Sequence, residues 1–194
     1  MTAQTTLIDR NDSILILIDC QEGFLKKLDT ARRDSVLSTM SFVIEVAGRL
    51  GIPTFVTVET PDKHGSTATA LMAQLPPGIT EHNKTVFSLT GAPALLAALQ
   101  AQPRRTAVLI GLETDVCVLQ SAVGLAQLGF RPVVLADATA APAPEHAFGL
   151  ERIRSFGLEV LRTKGLCYEW TRQVDAADAL FGDGRVRVPA GIVL

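Results

Sequence analysis

The first compact apolar run is SILILID, Ser13 to Asp19, in which Ile and Leu follow one another without a polar break. Continuous rather than alternating apolarity is the pattern of a strand covered on both faces. Val36, Met40, Val43, Ala47 and Leu50 then recur at helical spacing, and Gly51 with Pro53 closes that helix in the usual way. PTFVTVE returns to strand chemistry. The alternation continues with a helix over Ala92 to Gln100, a strand at RTAVLIG, a helix from Thr114 to Leu128, a strand at RPVVLAD, a helix over Glu145 to Ser155 and a strand at LEVLR. Such alternation, joined by right-handed crossovers, predicts an α/β fold: a single three-layer α/β/α doubly wound domain over residues 1–194, with a mostly parallel sheet of about six strands. Thr60 to Leu89 breaks the rhythm. Rich in Pro, Gly, Thr and Ser, it reads as loop, the kind of excursion that carries binding residues.

Composition narrows the class. With 194 residues, 47% of them hydrophobic, the chain has ample material for a core without disulfide or metal support. The 18 basic and 20 acidic residues nearly balance, and the basic ones gather in nothing longer than pairs, so no electrostatic footprint for nucleic acid is present. The polar start MTAQTTLIDRNDS lacks the apolar centre of a signal peptide, and ILILI is too short to span a membrane. Cys20, Cys117 and Cys167 are far apart and odd in number, which fits neither a disulfide framework nor a structural zinc site. A cytoplasmic protein is expected.

In an open parallel sheet ligands bind beyond the carboxyl ends of the strands, so residues just after each strand matter most. Asp19 ends the first strand, where a carboxylate is costly to bury unless paired or used, although Asp also commonly begins a loop. Cys117, in VLIGLETDVCVLQSA, falls in the first turn of a helix with Thr114 as its expected N-cap. The free amides and positive end of that helix favour an anion, so a lowered thiol pKa is expected, with the Glu113 and Cys117 amides facing a developing oxyanion. A cysteine taken alone is more often a small buried hydrophobe. Lys84, in EHNKTVFSLT, would pass as a surface lysine; it gains interest because Asp19, Lys84 and Cys117 together supply an acid/base, a cation and a nucleophile.

ILILIDCQEGF, the lysine of NKTVFS and GLETDVCVLQSAVGLAQLGFRPVVLADAT resemble the isochorismatase-like cysteine hydrolase family, which includes nicotinamidases. The likeness runs from about Ile8 to Asp175 and is most specific from Gly111 to Asp137. It implies a catalytic triad of Asp19, Lys84 and Cys117, a cis peptide between Leu112 and Glu113, and an oxyanion hole from the Glu113 and Cys117 amides. The implied reaction is cleavage of an amide or related acyl bond of a small molecule through a Cys117 thioester. Isochorismatases proper cleave a vinyl ether and do not need the cysteine, so Cys117 favours acyl chemistry.

Nicotinamidase-like members carry an Asp-x-His metal pair directly after the second strand, where this chain reads Glu59, Thr60, Pro61. No metal and no cofactor is expected. One alternative is a metal-dependent amidase using a displaced Asp62, His64 and His82 site; another is a noncatalytic thiol sensor or scaffold. A dinucleotide-binding domain is disfavoured because Gly111 stands without a GxGxxG loop. Phe24, Glu59 and Phe87 are the candidate substrate-binding residues. Asp115, Asp137 and His146 take the plainer roles of caps or packing, Cys20 is expected to face away from the Asp19 carboxylate, and Cys167 is expected in the core ahead of a helix bearing Trp170. The resemblance implies a homo-oligomer. The apolar tail FGDGRVRVPAGIVL could cover a neighbouring subunit or fold back on its own domain.

Overall fold

The computed structural model describes residues 6–194. The first half runs β1 (Ser13–Ile18), α1 (Glu22–Leu25), α2 (Thr30–Arg49), β2 (Thr54–Glu59), α3 (Pro61–His64), α4 (Thr69–Met72), β3 (Glu81–Lys84) and α5 (Pro93–Gln100). The second runs β4 (Thr106–Leu112), a five-residue turn at Thr114–Val118, α6 (Leu119–Gln127), β5 (Arg131–Ala140), α7 (Glu145–Ser155), β6 (Glu159–Leu161), α8 (Thr163–Thr171) and α9 (Val174–Phe181).

The six strands form one sheet in the order β3-β2-β1-β4-β5-β6, every pairing parallel. β1 and β4 are buried along their whole lengths, which is why their sequences are apolar without alternation. Their side chains still part by period two. Ile14, Ile16 and Ile18 join Phe55 and Leu109 in one layer, while Leu15 and Leu17 join Val56 and Ile110 in the other. Helices covering both faces make the three-layer α/β/α architecture expected from the sequence. Chain order reverses between β1 and β4, so the carboxyl ends of these two strands border the crevice where such sheets hold ligands.

The stretch read as loop, Thr60 to Leu89, instead contains β3 and two single-turn helices. β3, EHNK, escapes a hydropathy reading because it is an edge strand, and three of its four residues are at least partly exposed. The helix expected from Thr114 does start there, its first turn being the wider π-type one at Thr114–Val118 that runs directly into α6. Cys167 lies inside α8 rather than ahead of it, buried in the same helix as Trp170. Asp137 accepts hydrogen bonds from the Thr163 amide and hydroxyl, capping α8 as expected of it. In the tail, Val186 is buried and Ile192 and Leu194 pack against the chain's own core, so the tail folds back. Among the described residues no helix is long and apolar enough to cross a membrane.

Candidate active site

β2 and β3 build one wall of the site by simple alternation. Phe55, Thr57 and Glu59 lie on one face of β2, and His82 and Lys84 lie beside them on β3, paired with Thr57 and Glu59. The lower residues of this column, Phe55 and His82, stack at 4.1 Å. The upper ones, Thr57, Glu59 and Lys84, carry polar groups toward the crevice.

Asp19 reaches this face through a break in its strand. Strict alternation would place it with Leu15 and Leu17, but its φ of 48° turns the chain, a left-handed conformation that Asp tolerates better than most residues. The carboxylate then meets the Thr57 hydroxyl, which donates to Oδ1 at 2.8 Å, and Lys84 Nζ, which stands 2.5 Å from Oδ2. Lys84 thus holds Oδ2 in a close, fully buried ion pair. The same turn sends Cys20 to the opposite layer, where its thiol donates to Met40 Sδ at 3.5 Å.

Cys117 is delivered by β4. Gly111, with φ 128°, sits against β1 so tightly that a Cβ there would lie 2.0 Å from Ile18 O. The next peptide, Leu112–Glu113, is cis. The chain then makes one π-type turn, Val118 donating to Glu113 O at 3.1 Å, five residues back. Thr114 does not cap the following helix; its hydroxyl shares a 2.8 Å hydrogen bond with His146 Nδ1 on α7. Burial, reinforced by the nearby Arg32, pushes His146 down to about 4, leaving a neutral imidazole. Gly149, one turn along α7, lets that helix come close enough that a Cβ would stand 2.9 Å from the Asp115 backbone.

These elements bring Asp19, Lys84 and Cys117 into one buried cluster, 0%, 2% and 4% exposed. Glu59 completes it. Its Oε2 accepts from Cys117 Sγ at 3.3 Å and lies 3.8 Å from Lys84 Nζ. Burial is the main force on both proton carriers. It raises the Asp19 carboxyl above its usual 3.8, although Lys84 and Thr57 pull it back. It also pushes the Cys117 thiol up, and the negative charges of Asp19 and Glu59 outweigh the help of Lys84. The direction is thus opposite to the lowered thiol expected from a helix start: burial first, then the charges of Asp19 and Glu59, push Cys117 up.

The displaced metal site fails on position. His64 stacks on Phe24 at 4.5 Å, His82 stacks on Phe55, and these two phenylalanines belong to opposite layers, while Asp62 is exposed. Among the described residues, Asp19, Glu59 and Cys117 alone bring three ligating atoms within 4.8 Å. Lys84 already supplies the cation to both carboxylates, so this donor set does not suit a metal.

At the mouth, Lys27 pairs with Glu113 at 3.0 Å and lies over the Phe24 ring at 4.9 Å. Gln21 ties the rim together, its amide donating to the Glu59 and Gly65 carbonyls and its oxygen accepting from the Glu59 amide. Phe87 is 52% exposed on the segment after β3. Thr57, Lys27 and Gln21 went unnoticed in the sequence, though Thr57 and Glu59 carry a usable signal: polar residues two apart in an otherwise apolar strand.

A model of the isochorismatase domain matches residues 13–165. The chain belongs to the isochorismatase family. Isochorismatase domain-containing protein 2 of Bos taurus is 32% identical over 159 residues, covering 81% of this chain and 74% of that protein. Isochorismatase domain-containing protein 2A of Mus musculus is 31% identical over 162 residues, 82% of this chain and 75% of its own. Among solved structures, the YcaC gene product of Escherichia coli, an octameric hydrolase of unknown specificity, superposes with a TM-score of 0.83 at 21% identity, covering 93% of this chain and 91% of its own. The nicotinamidase PncA of Bacillus subtilis superposes at 0.66 with 20% identity, covering 78% and 99%. At these identities the structures share the isochorismatase fold, and the superfamily they sample includes hydrolases.

Proposed function

We propose that this isochorismatase-family protein is a cysteine hydrolase of the amide or related acyl bond of a small molecule. The observation that carries the reading is the buried contact set of Asp19, Lys84 and Cys117 at the sheet's switch point. Because the thiol is held protonated, attack and deprotonation go together: Asp19 takes the proton as Sγ bonds to the acyl carbon. The Glu113 and Cys117 amides receive the oxyanion. Asp19 then returns the proton to the leaving amine, and water activated by the same carboxylate hydrolyses the thioester. Lys84 keeps Asp19 ionised between these steps.

Cys20 and Cys167 both pack in the layer opposite Cys117, so a thiol sensor built on Cys117 would have to be restored by a partner thiol from outside the chain. As in the octameric neighbour, a homo-oligomer is proposed.

The test is a panel of small amides scored for amine release, with intact-mass detection of the acyl-enzyme. Cys117→Ala and Asp19→Asn are each expected to lower kcat/KM by about a thousandfold or more. Undiminished turnover in Cys117→Ala would sink the thioester mechanism. The pH profile is a second check. Activity should rise as Asp19 ionises, above the ordinary carboxylate range, and should show no further step at the usual thiol value near 9, since Cys117 titrates higher.

A further inference from the structure

Thr114 opens the turn that carries Cys117, and it is wholly buried there. Among the described residues, the side chains of Thr114–Val118 make two hydrogen bonds to other elements. One runs from the Cys117 thiol to Glu59 across the crevice. The other joins the Thr114 hydroxyl to His146 Nδ1 at 2.8 Å, on the first turn of α7. The same imidazole meets the Ala136 carbonyl of β5, so one side chain ties the nucleophile turn to both a strand and a helix.

This ring is a poor proton carrier. Burial and the Arg32 guanidinium hold it down to about 4, and Thr114, not Cys117, occupies its Nδ1. What it can supply is position. Thr114 stands between Glu113 and Cys117, the two residues whose amides are proposed to receive the oxyanion. Gly149, on the same helix as His146, brings α7 so close that a Cβ would lie 2.9 Å from the Asp115 amide nitrogen. The turn is thus pinned at consecutive residues, by a hydrogen bond at Thr114 and by backbone packing at Asp115. We infer that His146 is a positioning residue for acyl transfer: through Thr114 it fixes the turn whose Glu113 and Cys117 amides must converge on the oxyanion. The inference rests on the hydrolase reading above.

Two reactions at the same sulfur separate this role from a merely structural one. The activated ester para-nitrophenyl acetate acylates a thiol through an oxyanion: the S–C bond forms, the C–O bond breaks and nitrophenolate leaves with its electron pair. Iodoacetamide alkylates the thiol without an oxyanion: the S–C bond forms, the C–I bond breaks and iodide leaves with its electron pair. In both, the thiol proton passes to Asp19 and then to solvent. Rates at Cys117 would be followed by peptide mass mapping, with Cys117→Ala as the blank. Thr114→Val and His146→Leu are each expected to slow acylation by about thirtyfold while leaving alkylation within about threefold of the native rate. The double variant should be no slower than either single one, as for two side chains that act as one unit. Thr114→Ser and His146→Asn, which keep a polar partner at the contact, should recover most of the acylation rate.

Equal losses in acylation and alkylation overturn the inference, since the contact then presents the sulfur rather than the amides. Native acylation rates in Thr114→Val and His146→Leu also overturn it, as do losses that multiply in the double variant. In each of those cases acylation of Cys117 in the native protein leaves the hydrolase reading standing. A native Cys117 that alkylates but takes no acetyl group removes both. His146→Leu keeps the buried threonine, so it decides the matter by itself if Thr114→Val does not fold.

Discussion

Lys84→Met is expected to abolish activity and to make stability sharply pH-dependent. Its ammonium is the cation for two carboxylates, one of them fully buried. Without it, burial raises the Asp19 carboxyl further above 3.8 and favours its protonated form, and in the proposed mechanism the thiol loses its proton acceptor. kcat/KM should fall by about a thousandfold, the scale of a lost general base. Because the folded carboxyl titrates above the unfolded one, the folded state holds the proton more tightly. Stability is therefore greatest below the unfolded value and falls as pH rises through the folded value. Removing one partner of a buried pair costs about 3 to 5 kcal/mol, so urea unfolding should show a loss near that range at pH 8 and a smaller one at pH 5. Equal losses at both pH values would show that Asp19 does not depend on Lys84 for its charge.

Gly111→Ala should be nearly as damaging through geometry alone. A Cβ at this position would lie 2.0 Å from Ile18 O and 2.7 Å from Ile18 N, and the φ of 128° is itself hostile to any side chain. β1 and β4 pair in register from Ser13 with Thr106 to Ile18 with Gly111, so the added methyl forces apart the two central strands where they enter the site. A loss of more than about 3 kcal/mol is expected, because the clash is with backbone and cannot be relieved by a rotamer change. Cys117 alkylation should change with it, since Gly111 is six residues before Cys117. Gly51→Ala is the control: its φ is also positive, at 68°, but nothing stands within 4 Å, and the cost should be about 1 kcal/mol. If the two variants unfold alike in urea, contact with β1 is not what Gly111 provides.

Most of the scaffold was legible because buried parallel strands and amphipathic helices have different periods. SILILI and TAVLIGL are apolar at every position since both faces are covered, and Gly51 marks the end of α2 as a left-handed glycine should. β3 was not legible. An edge strand with one covered face and a polar sequence, EHNK, carries no hydrophobic period, yet it is the element that places Lys84. The candidate site was legible in its residue types and positions after strands, but not in its electrostatics. A helix start suggests a thiolate; only the approach of Asp19 and Glu59 and the loss of water reverse that direction at Cys117.

The sequence by itself determined the layers, the parallel sheet and the placing of Asp19 and Cys117 at strand ends, because these follow from patterns among near neighbours in the chain. Tertiary structure alone decided which groups meet. A single left-handed residue carries the Asp19 carboxylate to the face of Thr57 and Lys84, and alternation along β2 brings Glu59 to within 3.3 Å of a sulfur 58 residues away. Contacts of that kind depend on register and on one backbone angle, and neither leaves a periodic trace in the order of residues.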